Sequence, residues 1–231
     1  MATDNLSRDL ASQRKLHSIR RKVRTRLRRQ ALNLVDDYTH VERVWNNARF
    51  LAAGEHLRTG TVIDGDVLEA AVLLHMDLPQ VYAERDTPRV RVVVHAEEVL
   101  HAEGLGHLVW PVCDALSALW QLDGENRPFS AEASILHDAD LLEEIGAIGV
   151  IRALLMSTQN AVPELYDVDD PAAVKRSLDG AAFAIDTLPL RADALTDRFL
   201  TESGQAEATR RIHVLQGFYR EFLLNCNMLP G

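Results

Sequence analysis

Apolar positions recur along the chain at the three- and four-residue steps of a buried helix face, segment after segment. Residues 8–35 read as a helix with a loose stripe of Leu10, Leu16, Ile19, Val23, Leu27, Leu32 and Leu34, inside which Leu16, Ile19, Val23 and Leu27 form the tighter seam. A second helix covers about 36–53, with Val41, Val44, Trp45, Ala48 and Leu51 facing inward and Asp37 or Thr39 as cap. Residues 66–78 are apolar nearly all round, which predicts a buried helix leading to His75-Met76-Asp77 and limited by Pro79. Beyond a loop at 80–90, helices are expected at 91–103 and 108–121, then a loop at 123–128. One central helix is expected to start at Ser130 and run to Arg152. Residues 154–172 read as irregular, followed by helices at about 175–187 and 205–226 with a short one between them. The fold class is therefore all-α, with a basic helical arm at 1–35 and a helical domain at 36–231.

Composition narrows the function classes. Apolar residues make up 47% of the 231, and no apolar run approaches the roughly 18 residues a membrane span needs. No membrane partner is expected, and two cysteines without a disulfide framework fit a cytoplasmic protein. Charge is unevenly placed. Residues 1–35 hold ten basic residues against Asp4 and Asp9, a formal +8 in a chain of −9, which leaves −17 on the rest. Such an arm either docks on its own acidic body or recruits an acidic protein partner. Nucleic acid is disfavoured, because no aromatic residue lies between 8 and 35 to stack on bases. There is no internal repeat, Gly-rich phosphate loop or G-x-S-x-G turn.

The candidate chemistry lies where histidine and aspartate emerge from apolar helices. Asp138 and Asp140 stand beside His137 in the central helix, either as an acidic helix start or as a metal-ligand cluster. His40 and His75 each come from a different apolar stripe. His95, His101 and His107 fall around one helix and its C-terminal turn, where imidazole caps carbonyls, and read as structural.

The pattern His40…His75…Asp138 resembles the HD-domain superfamily of metal-dependent phosphohydrolases, over nearly the whole chain beyond the arm. It is most similar to a bacterial subgroup marked by His-x-x-Arg-Val, here His40-Val-Glu-Arg-Val44, and by Asp-Ala-Asp-x-Leu-x-x-x-Gly-Ala-Ile-Gly, here Asp138 to Gly149 with Leu142 at the fifth position. The resemblance implies an HD-domain helical bundle with an added basic N-terminal helix. It also implies a divalent metal (Mn, Fe, Zn, Co or Mg) on His40, His75 and Asp138, and a small-molecule substrate that is a phosphate ester or nucleotide. Arg43 and Arg152 are then expected near a phosphate or in structural ion pairs.

The departures from that pattern run in one direction. Met76 stands where the family's ligating Asp belongs, and Asp77 comes one position late, roughly 100° further round a helix. Leu119-Trp120 replaces a His-Ser pair, Leu141 an Arg, and Val92 and Val93 small polar residues. Three readings stay open. The first is a phosphohydrolase with a weakened two-His, one-Asp site in which Asp77 or Asp140 stands in as ligand. The second is a repurposed enzyme whose Met76, Val92, Val93, Leu119 and Leu141 line an apolar pocket for a non-phosphate molecule. The third is an inactive binding module.

Overall fold

The computed structural model describes residues 2–29, 37–77, 88–119 and 130–226. The expected arm boundary at 35/36, most of the 80–90 loop, the 123–128 loop and Trp120 lie outside these residues. The described residues are all-α: α1 (Ala2–Arg29), α2 (Tyr38–Thr59), α3 (Gly65–Leu74), α4 (Pro88–Ala102), α5 (Val109–Ala118), α6 (Ala131–Leu141), α7 (Gly146–Gln159), α8 (Thr187–Leu195) and α9 (Glu202–Asn225). No helix among them is long and apolar enough to cross a membrane. The chain divides into two compact units, Met1–Ala139 and Asp140–Gly231, and the division falls inside α6.

The first unit is built around α3. Every residue of α3 from Val67 to Leu74 except Glu69 is buried, and α1, α2 and α5 pack against it. Asp64 caps its start by accepting from the amides of Asp66 and Val67. Helix α1 lies along this core with Leu16, Ile19, Val23 and Leu27 buried. Burying four such side chains contributes about 1.5–3 kcal/mol each, whereas an exposed ion pair contributes about 0–1 kcal/mol. The apolar seam therefore docks α1, and the basic side chains beside it set its register. Arg20 bridges Glu42 on α2 and Glu69 on α3, each at 2.9 Å, and lies over the Trp45 ring. Lys15 donates to the Gly104 carbonyl at 2.7 Å, and Lys22 pairs with Glu103. Burial opposes the Arg20 charge, yet the hydrogen bond it donates to Glu69 and the charges of Glu69 and Glu42 outweigh it and raise its pKa. Burial, then the hydrogen bond to Glu42, pushes the Tyr38 hydroxyl up to about 12.

The second unit departs from the sequence expectation at two places. The helix predicted from Ser130 to Arg152 is interrupted: α6 ends at Leu141, a 3₁₀ turn spans Leu142–Glu144, Ile145 is extended and Gly146 has φ +69°. Only glycine adopts that φ without strain, so the Gly-Ala-Ile-Gly run starts a new helix. Gly149 serves packing instead, because a Cβ there would collide with the Glu144 carbonyl of the preceding turn. Helix α7 then continues to Gln159, past the expected irregular boundary at 154.

No α-helix forms at 175–187; turns lead to a 3₁₀ segment at Ala184–Asp186. Side chains there satisfy the backbone locally in place of a helix. Asp170 accepts from the amides of Val174 and Lys175, and Asp179 from those of Ala181 and Ala182. Buried Asp186 receives Arg176 at 2.5 Å and the Asp179 amide at 2.8 Å. Helix α9 closes the unit by packing on α7 and α8, with Arg211 donating to the Leu142 carbonyl at 3.0 Å.

Gly149→Ala is expected to destabilise the protein by about 3 kcal/mol or more. Gly217→Ala, whose Cβ meets nothing within 4 Å, should be neutral or stabilising by up to about 1 kcal/mol; denaturant unfolding of both variants checks the contrast. The hydrogen bond from Arg210, with help from Arg211, outweighs burial and holds Glu207 down at about 2, from an ordinary 4.5. Its folded-state pKa is depressed, so its stabilisation is complete above about 4.5 and is lost as pH falls toward 2. Melting curves between pH 6 and 2 should show a smaller loss of stability in Glu207→Gln than in the wild type.

Candidate metal centre

Three helices carry the side chains that converge. His40 lies in the first turn of α2, which Asp37 caps by accepting from the Thr39 amide. His75 is the C-cap of α3, where the apolar run ends, and α6 supplies the carboxylates. Among the described residues, His40, His75 and Asp140 form a group whose ligand atoms all lie within 4.8 Å of one another. The His40 and His75 Nε2 atoms are 3.2 Å apart, with both rings buried and inclined at 46°.

His75 is oriented by its own backbone. Its Nδ1 lies 2.6 Å from the Val72 carbonyl, which only accepts, so Nδ1 carries the proton and Nε2 of the neutral ring offers a lone pair toward His40. Backbone anchoring of the second ring nitrogen is the usual support of a metal-binding histidine. Asn47, seven residues after His40 on the same face of α2, donates to the Ala139 carbonyl at 3.1 Å. That bond fixes the turn of α6 carrying Asp140. At the other end of α6, Glu132 accepts from the Asp64 amide at 2.8 Å and ties the helix to the start of α3.

Several predicted site residues have other surroundings. Asp138 is fully buried but stands outside the three-residue group; its Oδ1 lies 3.0 Å from His137 Nδ1. Two positions along a helix turn a side chain by about 200°, so Asp138 and Asp140 point to different faces of α6, and it is Asp140 that stands with His40 and His75. Asp77 is buried and paired with Arg26 at 2.6 Å and His95 at 3.0 Å. His95, which reads as structural from the sequence, thus partners a buried carboxylate, and Arg26 is the point at which the basic arm reaches an acidic residue of its own body. The legible signal for Arg26 was its spacing, three residues after Val23 and seven after Ile19, on the seam face of α1.

Arg43 donates to Thr39 Oγ1 at 2.9 Å, one turn beyond His40. Arg152 belongs to the second unit, where Glu144 accepts from it at 2.5 Å and also pairs with Arg191. Of the residues expected to line an apolar pocket, Val92 is in the core, while Met76, Val93, Leu119 and Leu141 are half-buried. Val93 lines a cleft of about 220 Å³ between α4 and α5, together with Val109, Trp110 and Cys113. Burial, reinforced by the Glu97 charge, pushes the Cys113 thiol up to about 11, which keeps it protonated.

No protein-family model matches the chain, and no curated protein sequence matches it. Solved structures share its architecture nearly end to end. YpgQ of Bacillus subtilis, solved in complex with ADP, aligns with a TM-score of 0.68 at 20% identity, over 96% of this chain and 98% of its own. The Lin1889 protein of Listeria innocua aligns at 0.66 and 16%, over 95% and 99%. An HD-superfamily hydrolase from Bacillus thuringiensis aligns at 0.65 and 20%, over 94% and 100%. The chain has the HD-domain fold.

The His75 geometry has a direct spectroscopic test. In metal-free protein at a pH where the ring is neutral, long-range proton–nitrogen correlation should report His75 as the Nδ1–H tautomer; an Nε2–H tautomer would contradict the Val72 anchor.

Proposed function

We propose that this chain is an HD-type metal-dependent phosphohydrolase, with a divalent ion held by His40, His75 and Asp140 and a nucleotide or other small phosphate ester as substrate. The observation that carries this reading is the pair of buried Nε2 atoms 3.2 Å apart with a carboxylate beside them. Two nitrogens about 2.1 Å from one ion, at angles of about 90–109°, stand about 3.0–3.4 Å apart, so the spacing suits shared coordination. Imidazole and carboxylate donors together suit Mn, Fe, Zn, Co or Mg. A divalent ion in this position supplies Lewis-acid polarisation of a phosphoryl oxygen and acidifies a water molecule.

The chain's own residues divide the remaining work. His75 is held by Val72 with Nε2 facing the site, and Asn47 holds the α6 turn that carries Asp140. Asp138, against His137, supports the same helix from its buried side. Arg43, half-buried one turn beyond His40, is on this reading the cation that meets phosphoryl oxygens. Arg152, ion-paired to Glu144, has a structural role in the second unit. That YpgQ binds ADP makes nucleoside diphosphates the first substrates to try. Met76 in place of a ligating carboxylate leaves the site one negative charge short, so metal affinity lower than that of a site with the carboxylate is expected.

Elemental analysis of protein purified without chelator tests the reading. Near-stoichiometric metal after incubation with Mn, Fe(II) or Zn is expected in the wild type and in neither His75→Ala nor Asp140→Asn. Asp138→Asn should keep its metal with affinity reduced by about 10–100-fold. Phosphate release from a nucleoside diphosphate should follow metal content across the series. Wild type that takes up none of the three metals would overturn the proposal. Metal lost from Asp138→Asn and kept in Asp140→Asn would move the ligand role to Asp138.

A further inference from the structure

Asp77, two residues beyond His75, is 1% exposed, and its Oδ2 accepts from Arg26 Nη1 at 2.6 Å. The same Nη1 lies 2.6 Å from His95 Nε2, which is itself 3.0 Å from Oδ2. Asp77 Oδ1 is buried and has no hydrogen-bond partner. Three elements thus meet at one point: α1 brings the guanidinium, the turn after α3 the carboxylate, and α4 the imidazole. An isolated carboxylate at this depth is costly, and Arg26 is the full charge that compensates it.

The partner comes from the basic helix, because Arg26 shares the face of Ile19, Val23 and Leu27, which the core buries. The seam fixes where α1 lies, and Arg26 then has little choice of acceptor. Asp77 has an alternative use. It is a carboxylate two residues from a candidate ligand, with one oxygen uncommitted, in a site short of negative charge.

We infer that Arg26 is a positioning residue for the metal centre: it captures Asp77 and holds that carboxylate away from His75, so that the ion meets two imidazoles and Asp140 alone. The inference rests on the metal reading above. The N-terminal helix on this view is part of the centre's support, and its inward basic residues are committed to the chain's own acceptors.

The experiment is a double-substitution cycle on Arg26 and Asp77 in the full-length protein, with two readouts. In chelator-treated protein, Arg26→Gln should lower the melting temperature by leaving Asp77 uncompensated, and adding Asp77→Asn should restore most of the loss. Mn binding, measured by competition with a chromophoric chelator, should tighten at least tenfold in Arg26→Gln, since Asp77 is then released toward the ion. Asp77→Asn and the double variant should bind like the wild type, and Arg26→Lys should stay close to it. A melting-temperature loss that Asp77→Asn does not relieve would overturn the pairing. Mn affinity that is unchanged or weaker in Arg26→Gln would overturn the sequestration. If the wild type binds no Mn, the metal reading and the positioning role fall together, while the chelated cycle still decides whether Arg26 holds Asp77.

Discussion

From Val67 to Leu74 helix α3 is buried apart from Glu69, and the rest of the first unit answers to that constraint. A ten-residue helix with seven buried apolar side chains cannot lie at a surface, so α1, α2 and α5 must enclose it. Its one charged residue within that run, Glu69, is met by Arg20 from α1. Its end is equally constrained. The polar residues that follow, His75 and Asp77, emerge inside the core and must find partners there: Val72, His40 and the Asp140 group for one, Arg26 and His95 for the other.

The candidate centre and the basic helix are two consequences of one buried segment. The apolar seam of α1 covers α3 and carries Arg26 to the turn beside the histidine pair. The arm's charge therefore works locally, through Lys15, Arg20, Lys22 and Arg26. Arg24, over the Tyr38 ring, extends the same contact toward α2. A strongly basic stretch in an acidic chain need not imply a foreign acidic partner when acidic side chains of its own unit stand within reach.

The glycine-containing signature has a physical explanation that its spelling conceals. Gly146 supplies a left-handed residue that ends one helical direction and begins another, and Gly149 lets the new helix pass close to the Glu144 carbonyl. The two glycines look alike in sequence and do different things: one answers a backbone torsion, the other a missing volume. Apolar periodicity continues across the break, which is why 130–152 reads as one helix and folds as two. The 175–187 segment fails for a related reason. Asp170, Asp179 and buried Asp186 satisfy amides and Arg176 through side chains, and hydrophobic periodicity carries no record of such competition.

The sequence by itself determined the all-α class, the α1 seam, the burial of α3 and the presence of His40 and His75 at helix ends, because each depends on spacing along one helix. It also named the candidate carboxylates, Asp138 with Asp77 or Asp140 as a stand-in. Only the tertiary structure shows which carboxylate on α6 stands with the histidines: Asp138 and Asp140 differ by about 200° of rotation, and with α6 held against α2 by the Asn47 bond, Asp140 groups with His40 and His75 while Asp138 lies against His137. The fate of Asp77 was likewise beyond the sequence. Its partners lie 51 residues before it and 18 after it, and the pairing follows from the packing of α1 and α4 around α3.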